Sequence, residues 1–236
     1  MKVVGGDEAV ASAGTRDTDY SPFDAGGYMI GPNGTTCSSG FAIRYMGGPY
    51  TTTARHCTES SYHDRAASNS YGSTYLIDNS GGARVLLGAG SGRMFDHAYN
   101  DASGYDKTVI GFYDVGINDY VCTSGGNSGV HCNIQVDNML AGWDDGFGTL
   151  TTIHGSQRIS GAIANMQGDS GGPVLFPTGA TTGQVEAVGM IQAVNQYVSN
   201  CGSAYDGGSN KCGTGVFFTS MRTIVNSISG ASLVTG

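Results

Sequence analysis

The chain has 236 residues, 40 of them glycine and only 13% charged, with a formal net charge of -8. At 39% hydrophobic it is too apolar to be a disordered chain, and the acidic balance argues against a nucleic-acid partner. No apolar run reaches the length of a membrane span, and Met1-Lys2-Val3-Val4-Gly5-Gly6 lacks a signal-peptide hydrophobic region, so a processed chain is expected.

Residues 1–27, rich in Gly, Asp, Ser and Thr, are expected to form an extended, solvated surface arm. Strand-like runs follow at Gly40–Tyr45 and Pro49–Thr53, with Met46-Gly47-Gly48 between them as a hairpin signal. Further strands are expected at Val85–Leu87, Thr108–Phe112, Tyr120–Cys122, Val130–Val136, Thr149–Ile153, Pro173–Leu175, Val185–Ile191 and Gly215–Phe218. Only the tail carries a helical pattern: Met221, Ile224, Val225 and Ile228 share one face, and Ser220 stands in the N-cap position. Many short strands joined by glycine-rich turns predict an all-β barrel or sandwich.

Two stretches carry chemistry. Met166-Gln167-Gly168-Asp169-Ser170-Gly171-Gly172-Pro173 suits a tight turn that exposes a hydroxyl and aims main-chain N–H groups at one point, as acyl transfer requires. By itself the stretch is also ordinary turn chemistry. Thr53-Ala54-Arg55-His56-Cys57 adds a base, upstream in the chain. Together, Thr-Ala-x-His-Cys followed by Gly-Asp-Ser-Gly-Gly-Pro resembles the chymotrypsin-type serine peptidases, and within them the secreted bacterial streptogrisin branch.

The resemblance implies two six-stranded antiparallel β-barrels with a short C-terminal helix, a first barrel over 1–116 and a second over 117–236. It implies Ser170 as nucleophile, His56 as general base and the N–H groups of Gly168 and Ser170 as oxyanion hole. Six cysteines point to an oxidising compartment, and proximity together with the resemblance favours the pairs Cys37–Cys57, Cys122–Cys132 and Cys201–Cys212. Cys-x-x-Cys spacing is missing, so a zinc reading is weak. An orienting acid should follow the histidine by some tens of residues. Asp96, ahead of His97-Ala98, fits best; Asp106 is the alternative, and Asp101 lies between. In streptogrisins an arginine serves the aspartate before the nucleophile; none stands around Cys122-Thr123-Ser124, where the resemblance would put it, and Arg44 or Arg158 are candidates to substitute for it at Asp169. The substrate-binding positions implied are Ala164, Gln167, Gln192, Ala193, Val194 and Gly215. Ala164 offers no charge at the pocket base, Val194 narrows the mouth, and Gly215 keeps the back open, so a small or medium apolar P1 residue is expected.

The resulting expectation is a secreted, monomeric serine endopeptidase acting on proteins or peptides, free of cofactor and metal, with a pro-segment or a proteinaceous inhibitor as further partners. An unperturbed imidazole would place the acid limb of its kcat/KM profile at roughly pH 6–7.5. The alternatives are a peptidase-fold binding protein that has lost activity, which needs no intact triad, and an esterase on the same machinery. Other features read as plain structure. His63, His97, His131 and His154 show no metal-ligand spacing; Asp144-Asp145-Gly146 matches no calcium loop and reads as a turn; Trp143 reads as packing.

Overall fold

The computed structural model describes residues 14–179, 182–202 and 211–236. Every strand expected from an apolar run is present, and most run longer than the run itself. Gly40–Tyr45 pairs antiparallel with Gly48–Ala54, and the turn between them has positive φ at both Met46 (46°) and Gly47 (88°). That is the turn geometry that matches the twist of a two-residue hairpin.

The strands form two sheets. An eight-stranded sheet holds Gly40–Tyr45, Gly48–Ala54, Ala83–Leu86 and Ser70–Asp78 at its centre. A ten-stranded sheet is built on the long strands Gly129–Asp144, Thr149–Gln157, Gln184–Val198 and Cys212–Ser220. Pairing is antiparallel except at two places: Phe23–Ala25 runs parallel to Gly90–Phe95, and Asp106–Phe112 runs parallel to Gln184–Val198. The second parallel pair joins the last strand of the first half to the second half.

Two main cores and a small third cluster result. The first contains Phe41, Ile43, Val85 and Leu86; the second contains Val121, Ile134, Val174, Ile191 and Phe218; Ile163, Met166 and Cys212 form the small one. The helix Met221–Ser227 forms where expected, with Ser220 as N-cap although its hydroxyl makes no capping bond. Its apolar face (Met221, Ile224, Val225) and Ile228 join the first core, not the second. The final strand Ser232–Leu233 then adds to the edge of Gly40–Tyr45. The chain end therefore crosses back to complete the first lobe.

All three disulfides join the expected sequential pairs. The solvated arm requires correction. Residues 1–13 lie outside the described residues, but Arg16, Asp19 and Phe23 are buried, and Phe23–Ala25 is a strand. Arg16 is held inward by buried acceptors: its guanidinium donates to Gly26 O (2.6 Å), His97 O (2.8 Å) and Ser124 Oγ (2.9 Å).

Candidate active site

The loop carrying Ser170 is organised around a buried carboxylate. Asn165–Met166 pairs with Gly213 and Cys212, and the chain then turns so that Asp169 points inward, fully buried. Asp169 Oδ2 accepts from Met166 N (2.7 Å) and Ser128 Oγ (2.5 Å), while Oδ1 accepts from Asn127 N (3.0 Å) and Ser128 N (3.1 Å). Burial nevertheless raises its pKa to about 6, against the lowering effect of these donors. Neither Arg44 nor Arg158 serves it: Arg44 is exposed, and Arg158 Nε donates to Gln135 Oε1 at 2.8 Å. The buried cation in the neighbourhood is Arg16, whose pKa burial lowers to about 10, with Asp169 the largest opposing charge. Nothing in the sequence distinguishes Arg16 from the polar residues around it.

With Asp169 fixed, the rest of the loop has little freedom. Gly168 sits at φ +98° and its carbonyl accepts from Ser38 Oγ (2.9 Å), while Asn127 Nδ2 donates to Gln167 O (2.8 Å). Gly171 lies so close to the other lobe that a Cβ would stand 2.2 Å from Thr53 Oγ1, a contact only glycine permits. The amides of Asp169 and Gly171 are used, by Met166 O and Ile191 O. Those of Gly168 and Ser170 have no acceptor among the described residues.

His56 sits in the turn after Gly48–Ala54, closed by Cys57 N to Ala54 O (3.0 Å) and tied by the Cys37–Cys57 bridge. The neighbouring Arg55 reaches the second lobe, where Nε and Nη2 engage Asp145 at 2.7 and 2.5 Å, both side chains being almost wholly buried. Trp143, expected as packing, sets its ring edge-on to His56 at 5.2 Å. Burial lowers the His56 pKa to about 4; Asp145 opposes this, and Arg55 and Arg84 add to it. The imidazole is therefore not the unperturbed one from which an acid limb at roughly pH 6–7.5 is expected.

His56 and Ser170 face one cleft of about 400 Å³. Ser170 Oγ donates to Gln192 O at 3.4 Å, a long bond of the kind that substrate binding can replace. Gln167, Gly168, Gln192, Ala193 and Val194 line the cleft, joined by Trp143, which the sequence suggested only as packing, and by Thr35, Thr36, Tyr197 and Lys211, which it did not single out. Two expected pocket positions do not reach it. Ala164 is wholly buried in the second core, its carbonyl bonded to Thr123 Oγ1. Gly215 turns its open side to His154 Nε2, 2.9 Å from where a Cβ would be. Asn165 lies between, donating from Nδ2 to Ala193 O at 3.2 Å and tying the loop to the cleft wall.

The acid expected at His56 is not there. Asp96 Oδ2 pairs with Lys107 Nζ at 2.7 Å, Asp106 pairs with Arg93, and Asp101 accepts from Ser103 N. All three line a separate open depression beside His97. The cause is strand register: Asp106 and Lys107 oppose Phe95 and Met94, so the charges of this ladder neutralise one another. Meanwhile His56 Nδ1 is buried and has no hydrogen-bond partner among the described residues.

Neither a protein-family model nor a curated protein matches the chain. Solved structures do, and those compared are proteases of the bacterial chymotrypsin type. Protease A of Thermobifida fusca superposes with a TM-score of 0.64 at 23% identity, covering 90% of this chain and 98% of that one. The Nocardiopsis protease gives 0.64 at 21% identity, with the same coverage of 90% and 98%. The chymotrypsin of Cellulomonas bogoriensis gives 0.61 at 20% identity, again over 90% and 98%. The fold is thus the two-lobed chymotrypsin type, as the motifs around His56 and Ser170 led us to expect.

Proposed function

We propose that the protein is a secreted serine endopeptidase in which Ser170 attacks the peptide carbonyl and His56 takes and returns the proton. The observation that carries this reading is the pair of unused amides at Gly168 and Ser170, on a loop whose other amides from Met166 to Gly172 are all hydrogen-bonded, in the cleft shared with His56. Unpaired N–H groups are tolerated on an ordered loop where they serve an incoming acceptor, and a tetrahedral oxyanion is such an acceptor. His56, neutral across the physiological range, accepts the Ser170 proton as the C–O bond forms and passes it to the leaving amine. Water then repeats the cycle on the acyl-enzyme. The three disulfides support an oxidising, extracellular setting.

Ala193 and Val194 make the wall apolar and narrow, and among the described residues at the cleft the charged side chain is the Lys211 ammonium. A Lys or Arg side chain would meet no anion there among the described residues, which supports a small or medium apolar P1 residue. The second reading, a binding protein with residual chemistry, is favoured by one observation: the missing partner of His56 Nδ1.

Labelling with a serine-directed fluorophosphonate, the adduct mapped by mass spectrometry, tests the proposal together with peptide-anilide turnover. Ser170 should be modified, and Ser170→Ala should lose label and fall in kcat by up to about 10⁶ with KM little changed. Turnover retained by that variant would remove the mechanism. Labelling without turnover would select the binding reading.

A further inference from the structure

The carboxylates that flank the His56 turn are committed elsewhere. Asp145 is clamped by Arg55, and Asp78 accepts from the amides of Ser80 and Gly81 and from Ser227 Oγ. No side chain can enter from the hairpin against which the turn rests. A Cβ at Gly81 would stand 2.2 Å from Asp78 Oδ2 and 2.8 Å from Ile224 Cα; one at Gly82, where φ is +70°, would stand 2.4 Å from Leu150 Cδ1.

The space is occupied from the other lobe by Gln192, which is completely buried. Its Nε2 donates to Gly82 O (3.2 Å), the same carbonyl that accepts the Arg55 amide (2.8 Å), one residue from His56. Its own carbonyl receives the Ser170 hydroxyl. A single residue thus touches the nucleophile with its backbone and the floor of the histidine turn with its side chain. Two buried atoms here lack partners: Gln192 Oε1, an acceptor, and His56 Nδ1, a donor in the tautomer that leaves Nε2 free for a proton.

We propose that Gln192 Oε1 accepts the Nδ1–H of His56, so that a neutral carboxamide orients the base where a triad would use an acid. The inference rests on reading Ser170 and His56 as the catalytic pair, and it makes Gln192 a positioning residue. The polarity of the amide is decided by Gly82 O, which must face the NH₂ group, so the oxygen is left for His56. That arrangement selects the productive tautomer, which an amide nitrogen facing Nδ1 would forbid. It supplies a dipole but no charge. The charges acting on the ring are then Asp145, which favours its protonation, and Arg55 and Arg84, which oppose it, with the Trp143 ring set against it. The imidazolium formed during turnover is only weakly stabilised, and the base stays neutral far into acid.

The test is histidine-resolved ¹⁵N NMR with kcat/KM against pH on the wild type, Gln192→Leu and Gln192→Glu. The wild type should show a His56 Nδ1–H signal protected from solvent exchange. Gln192→Leu should lose it and drop kcat about tenfold or more with KM little changed, the worth of one hydrogen bond. The nearly isosteric Gln192→Glu should raise the His56 pKa by about one unit or more and carry the acid limb of kcat/KM with it. The NMR measurements need no turnover, and fluorophosphonate labelling of Ser170 reports separately on the catalytic reading. A wild type without the protected Nδ1–H, a Leu variant that keeps it, or a Glu variant whose His56 titration does not move would each overturn the proposal.

Discussion

Replacing Asp169 by asparagine probes the support of the nucleophile loop. The carboxylate meets four donors, three of them main-chain N–H groups that cannot reverse. An asparagine NH₂ placed at Oδ1 would face two of these. At Oδ2 it faces the Met166 amide and Ser128 Oγ, of which only the hydroxyl can turn to accept. One buried N–H is thus stranded in the better arrangement, at a cost of about 1–3 kcal/mol. Acting the other way, the variant no longer carries a buried charge. The folded-state pKa of about 6 stands above the ordinary aspartate value of 3.8, so Asp169 contributes stability that is present below the unfolded pKa and lost as pH rises through 6. From pH 7 to pH 4 the wild type should therefore gain about 2–3 kcal/mol relative to Asp169→Asn, the two being close in stability at neutral pH. Urea midpoints for both proteins at half-unit pH steps would measure this, as would melting temperatures diverging by about 5–10 °C for a chain of this size. A difference that stays flat from pH 4 to 7 would show that the four donors and Arg16 hold the carboxylate ionised, and would refute the reasoning.

Asp145→Ala leaves Arg55 buried without its partner and should cost about 3–5 kcal/mol in equilibrium unfolding, whereas Asp145 and Arg55 exchanged together for apolar residues should recover most of the loss. At the cleft, matched anilides with Ala, Leu, Phe and Lys at P1 should rank Lys last, since its ammonium would be desolvated without an anion. Val194→Gly should raise kcat/KM for Phe more than for Ala, by up to about a hundredfold if the valine overpacks against aromatics. A clear preference for Lys would sink the pocket assignment.

What the sequence revealed and what it hid divide on physical lines. Strands with apolar runs, such as Gln184–Val198 and Thr149–Gln157, were legible because one face must be buried. Ser70–Asp78 was not: its alternation is carried by Ser, Gly, Thr and Tyr, which read equally as loop. His56 and Ser170 stood in local motifs whose geometry a turn sets by itself. The orienter of His56 is a long-range matter, decided by which strand lies beneath the turn, and Asp96 matched a local pattern while its register delivered it to Lys107. Arg16 and Gln192 carry no local signature, because their roles are defined by carbonyl groups distant in sequence.

The return of the chain end to the first lobe bears on how the molecule is made. Synthesis delivers Gly40–Tyr45, Gly48–Ala54 and the His56 turn long before the helix Met221–Ser227 and the strand Ser232–Leu233. Until these arrive, the nascent first half lacks four buried side chains of its own core and carries an unpaired strand edge at Ile43 and Arg44. Domains emerging from the ribosome usually close in order, first part first. Here the first lobe is sealed last, so His56 is seated in its finished surroundings only after the loop bearing Ser170 has been made.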